Sequence, residues 1–86
     1  MIHKIYSIRD QKAEYFTQPF FKKTHGEAER DFHQLVNDDK SQLNKFPEDF
    51  DLYHLGTYDD ETGKMTPLDT PQHITKAVQQ KQVQMQ

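Results

Sequence analysis

The residues of this chain most able to do chemistry are a run of rings that leads into cations. Tyr15, Phe16, Phe20 and Phe21 precede Lys22 and Lys23, and Lys4, Arg9 and Lys12 lie just upstream. Aromatic rings stack on nucleobases and cations follow the phosphates, so this pattern suits a single-stranded nucleic acid. Lys4, Arg9, Lys12, Phe21, Lys22 and Lys23 are the candidate contacts. The rings have a competing use. Only 33% of the 86 residues are hydrophobic, so phenylalanine and tyrosine must supply much of the core. Alternation along 15–23 puts Phe16 and Phe20 on one face and Phe21 on the other. A single helix covers at most one of these sets. The other set is left exposed for nucleic acid, covered by the C-terminal segment, or buried against a second subunit.

Other chemistries find little support. There is no cysteine, which removes disulfides, thiolate metal sites and a thiol nucleophile. Ser7 and Ser41 stand outside any nucleophile-elbow pattern, and Gly26, Gly56 and Gly63 are too scattered to cradle a phosphate. The histidines at 3, 25, 33, 54 and 73 show no metal-ligand spacing. The acidic groups Asp38-Asp39, Glu48-Asp49 and Asp59-Asp60-Glu61 read as turns, which aspartate stabilises locally, before they read as a metal-dependent nuclease. A non-enzymatic binding protein without cofactor or metal is the expectation. Charge is uneven around the net -3. Residues 1–24 carry five basic and two acidic side chains, and 25–61 carry three basic and eleven acidic. The dipole could turn its N-terminal part to a polyanion, while the acidic 48–61 stretch could meet a basic protein. No apolar run approaches the roughly 20 residues of a bilayer span, and the N-terminus lacks a secretory apolar core. No membrane association is expected.

The elements that must position these residues follow from periodicity. Residues 2–9 alternate as a strand, with Ile2, Tyr6 and Ile8 on one face and His3, Ile5, Ser7 and Arg9 on the other. The 15–23 stretch is β-prone, and Pro19 assigns it to an edge or a bulge. Thr24 and Glu27 have capping-box spacing ahead of Ala28, Phe32, Leu35 and Val36, which predicts an amphipathic helix over about 25–38. Ser41 caps a short turn carrying Leu43 and Phe46, and Pro47 ends it. Phe32, Phe46 and Phe50 are assigned to the core. Residues 50–58 form a strand, 59–63 a turn closed by Gly63, and 64–68 a short return strand. Thr70-Pro71 reads as the start of a last helix carrying Ile74, Ala77 and Val78. The expected fold is α+β: a small antiparallel sheet of about four strands in ββαββα order, with one main helix on one face. A single domain spans 1–80, and the Gln-rich 81–86 is expected to fray.

These stretches together resemble a known family. Arg9-Asp10-x-Lys12-Ala13, Phe16-x-x-Pro19-Phe20-Phe21 and Glu27-Ala28-x-Arg30-x-Phe32 are followed by Pro47-Glu48-Asp49-Phe50-x-Leu52-Tyr53-x-Leu55-Gly56-x-Tyr58-Asp59-x-x-Thr62-Gly63. They are similar to the small non-structural protein of gokushovirus-type microviruses, members of the Microviridae with single-stranded DNA genomes. The resemblance covers about residues 1–70. It implies a protein outside the virion, in the cytoplasm of the infected bacterium. It also implies a part in the switch to single-stranded DNA synthesis and in packaging. It brings no catalytic set. The expected partners are single-stranded DNA, phage or host replication and packaging proteins, and a second copy in a homodimer. The alternative is an adaptor that contacts the replication initiator, the procapsid or a host replication factor through its acidic surface.

Overall fold

A computed structural model describes residues 1–81. All but the first residue of the expected frayed tail lies outside the described residues. Strand β1 (Ile2–Asp10) is central and is followed by the short strands β2 (Tyr15–Phe16) and β3 (Phe20–Lys22). Helix α1 (His25–Val36), the short helix α2 (Gln42–Lys45) and a 3-10 turn at Pro47–Asp49 lead to β4 (Phe50–Asp59). Strand β5 (Met65–Lys76) and the single turn α3 (Ala77–Gln80) complete the described chain. The sheet is antiparallel throughout and curled, in the order β2-β1-β4-β5, with β3 beside β2 along the same edge of β1. The α+β expectation holds.

Local chemistry explains the elements. The Thr24 hydroxyl accepts from the Glu27 N–H at 3.1 Å and starts α1, and the Ser41 hydroxyl accepts from the Asn44 N–H at 3.1 Å and starts α2. Gly63 sits at φ +76 where the β4–β5 hairpin turns, and its N–H donates to the Asp59 carbonyl at 2.7 Å. The core lies between one sheet face and the helices. Tyr6, Ile8, Phe50 and Leu52 from the strands meet Ala28, Phe32 and Val36 of α1 and Ala77 of α3.

Five local expectations are corrected. The last helix does not begin at Thr70. The return strand is not a short 64–68 segment but runs on through Pro67 and Pro71 to Lys76, and only Ala77–Gln80 is helical. Pro71 falls in the stretch 68–71 that has no partner on β4, where a proline costs the ladder nothing, and Pro67, opposite Gly56, lies on the outermost strand. Phe46 is not core: it is 49% exposed, because the turn that Pro47 starts carries the chain away before the ring reaches the sheet. Leu35 is 42% exposed at the margin of the α1 stripe, whose centre line is Ala28, Phe32 and Val36. Ile2 is exposed at the outer end of β1, which none of the core helices covers. Finally, residues 15–23 are two strands rather than one, and the break at 17–19 resets the alternation. Phe16 lies opposite Arg9, Phe20 opposite Tyr6 and Phe21 opposite Ile5. Phe16 therefore shares its face with Phe21 and not with Phe20.

Candidate nucleic-acid interface

One face of the sheet has no helix packed on it among the described residues, and the rings gather there. Residues directly opposite in an antiparallel ladder point to the same side. The register sets His3 beside Tyr58, Ser7 beside Tyr53 and Tyr53 beside His73. The strand β4 is bulged. Ile5 pairs with Gly56 and Tyr6 with His54, so Leu55 has no opposite residue on β1. A one-residue bulge inverts the alternation beyond it. Tyr53 and Tyr58, five residues apart, thus share the open face, as Phe16 and Phe21 do through the break at 17–19. Each tyrosine then meets one of the phenylalanines. The Phe16 and Tyr53 ring centroids are 5.4 Å apart, and those of Phe21 and Tyr58 are 5.5 Å apart. His73 extends the first pair, 5.3 Å from Tyr53, and His3 extends the second, 6.1 Å from Tyr58.

The two groups differ in charge. Beside the first, the Arg9 guanidinium lies 5.1 Å from the Phe16 centroid, a cation–π distance. Exposed Lys76 lies across the ladder, opposite Asp51. Asp51 is buried, and its Oδ2 accepts from His73 Nε2 at 2.8 Å, so this carboxylate does not project from the face. Beside the second group, Asp60 accepts from His3 Nε2 at 2.8 Å, within the acidic turn Asp59-Asp60-Glu61. The amino group of Met1, 2.7 Å away, and His3 hold the Asp60 carboxyl below its ordinary pKa.

The six residues expected from the sequence are divided by the fold. Arg9 and Phe21 reach the open face. Lys4 and Lys22 are opposite each other on the helix side, where Lys22 Nζ pairs with Asp31 of α1 at 2.5 Å. Lys12 is exposed in the β1–β2 turn, whose backbone N–H groups at Lys12 and Ala13 donate to Asp10 Oδ1 at 3.1 Å. Lys23 is exposed in the connection to α1. Sequence reasoning did not single out Tyr53, Tyr58, His73 and Lys76. Their type was visible, but the face of the tyrosines depends on the bulge in β4, and that of His73 and Lys76 on a register shift that leaves Ile74 of β5 without an opposite residue.

On the opposite face, the Tyr6 hydroxyl donates to His25 Nδ1, and His54 packs against both rings, with centroids at 5.3 and 5.0 Å. Burial pushes the Tyr6 phenol up to about 12, helped by Glu29 and Glu27. Burial, with Lys4 and His54 nearby, lowers the His25 pKa. This group joins the first turn of α1 to the sheet and is structural in its contacts. Among the described residues, no three histidines or carboxylates converge on a cation position, and no helix is long and apolar enough to cross a membrane.

No curated protein and no solved structure matches the chain. The model of the phage ORF5 protein family matches residues 3–80, from the start of β1 to the end of α3 and so across the whole of the described sheet. The chain belongs to the phage ORF5 protein family.

Proposed function

We propose that this phage protein binds single-stranded DNA on its open sheet face, without catalysis, during replication and packaging of a microvirus-type genome in the host cytoplasm. The observation that carries the reading is the set of rings on that face. Phe16 and Phe21 are 38% and 43% exposed on a sheet surface that no helix covers, with Arg9 over Phe16. A ring left exposed forgoes part of its burial free energy, and stacking on a base recovers it with little dependence on sequence. A single strand offers free base faces, whereas a duplex keeps its bases stacked on one another. The net charge of -3 fits a binder that relies on rings more than on a broad basic footprint.

The adaptor alternative draws on the acidic 48–61 stretch. Glu48 and Asp49 sit at one end of β4 and Asp59-Asp60-Glu61 at the other. A ten-residue strand puts about 30 Å between them. Asp51 between them is buried. The stretch therefore offers two separate ends rather than one acidic surface, and the DNA reading is preferred. A homodimer would place two ring faces on one strand of DNA.

Fluorescence anisotropy with labelled single- and double-stranded oligonucleotides, at low and moderate salt and on protein of measured solution mass, tests the proposal. Binding that prefers the single strand and weakens about tenfold in Arg9→Ala is expected. No binding even at low salt, where charge attraction is strongest, rules the reading out.

A further inference from the structure

We propose that a single strand crosses the open face from β2 to β5, with its bases on Phe16, Tyr53 and His73 and its phosphates on Arg9 and Lys76. This inference rests on the DNA-binding reading and adds the path and a second phosphate contact. Two paths are open to a strand on this face. One runs along the β-strands, from the Phe16 group to the Phe21–Tyr58–His3 group. The other runs across them.

The rings favour the second path. Phe16, Tyr53 and His73 stand in one row over three different strands, at centroid spacings of 5.4 and 5.3 Å. The interplanar angles are 76° and 82°, so both neighbours stand nearly perpendicular to Tyr53. Cations mark both margins of the row. Arg9 lies over Phe16 at the β2 side, and Lys76 is exposed on β5. The carboxylate between them, Asp51, is buried and engaged by His73.

Charge closes the path along the strands. At its far end that path meets the acidic turn, where Asp59, Asp60 and 82% exposed Glu61 outnumber the one amino group of Met1, which lies 2.7 Å from Asp60 and 3.7 Å from Glu61. From Arg9 to His3 the sheet runs for about 20 Å, more than twice the screening length at physiological salt. Arg9 therefore cannot offset the repulsion at the turn. The crossing path covers three strand spacings, about 14 Å, which matches a short site of about four nucleotides.

The test is anisotropy on the whole protein with an oligothymidine length series at about 0.15 M salt, where the screening length is about 8 Å. Phe16→Ala, Lys76→Ala and Glu61→Lys are compared with the parent, each checked for native circular dichroism. All three positions are exposed, so folding is expected to survive. Affinity should rise with length to about four nucleotides and then level off. Phe16→Ala should weaken binding about tenfold or more. The logarithm of affinity against the logarithm of salt should have a slope of about -1.4 for two phosphates, falling to about -0.7 in Lys76→Ala. Glu61→Lys should bind within about twofold of the parent. If the parent binds but Glu61→Lys tightens binding severalfold, or Lys76→Ala leaves the slope unchanged, the crossing path is wrong while the DNA reading stands. If the parent binds no oligothymidine of any length, both are wrong.

Discussion

Several single residues carry more than their type suggests. Gly56 is one. A Cβ there would lie 2.4 Å from the Thr66 carbonyl oxygen and 2.8 Å from Pro67 Cα, both backbone atoms of the neighbouring strand. The strands cannot separate there without breaking the ladder, so Gly56→Ala should cost about 1–3 kcal/mol in urea unfolding. Gly63 differs, since space around it is open and only its positive φ matters, so Gly63→Ala should cost about 1 kcal/mol. His25 gives a pH dependence whose sign can be worked out. Its folded-state pKa lies below the ordinary 6.5, so on acidification the unfolded chain takes the proton first. Stability therefore falls as pH drops below about 6.5 and levels off below the folded pKa. His25→Asn keeps an acceptor for the Tyr6 hydroxyl and removes the titration. Melting temperatures from pH 7.5 to 5 should fall less in that variant, and parallel curves for the two proteins would refute the assignment. Lys22 illustrates how a candidate contact can be redirected. Held by Asp31, it ties β3 to α1, so Lys22→Glu should act chiefly on stability, by up to about 1 kcal/mol for such a partly exposed pair.

At the scale of elements, interruptions of the strands do most to shape the open face. The break at 17–19 and the bulge at Leu55 each change the alternation by one residue, and together they turn two phenylalanines and two tyrosines to the same side. The bulge also explains why β4 buries Leu52 and His54 on the helix side while Tyr53 and Tyr58 stay on the other. Deleting Leu55 would restore strict alternation and force either Tyr53 or Tyr58 into the core side. The expected result is a chain that loses the cooperative unfolding of the parent in circular dichroism. Helix α1 depends on its first turn as well as on its stripe. Thr24→Ala removes the acceptor for the Glu27 N–H and should cost about 1 kcal/mol. Strand β5 shows how an edge tolerates what an interior strand does not. Pro67 and Pro71 also remove two donors from a long edge, which discourages pairing with a second sheet along it.

The whole molecule is small and somewhat elongated. Its radius of gyration is 13.7 Å, above the roughly 12 Å of a compact chain of this length, and its longest extent is 51 Å against 24 and 19 Å for the other two. A core of eight buried residues among those described has little reserve. A chain of this size holds about 4–13 kcal/mol of stability, and Phe32→Ala should remove about 3–5 kcal/mol of it. That variant should melt at a clearly lower temperature than the parent, which circular dichroism would show. The molecule is thus two-sided. One side uses its aromatics to hold the fold, and the other presents rings and a few cations to solvent.

The sequence by itself determined the α+β class, the main helix with its cap, the central strands, the glycine that closes the hairpin turn and the phage family. These are local matters of periodicity, capping and turn chemistry, which short stretches of chain settle alone. Only the tertiary structure decided which rings stand together. Strand faces depend on register, and register here changes at irregularities in β4 and β5 and at a break after β2 that no alternation pattern marks. The same dependence sent Lys22 to Asp31, brought Lys76 to the margin of the ring row, and kept Thr70-Pro71 in a strand. A proline's effect depends on whether its strand lies at an edge, and a lysine's on which carboxylate the neighbouring helix presents. Those facts come from elements distant in sequence, and they exist only once the sheet has closed around β1.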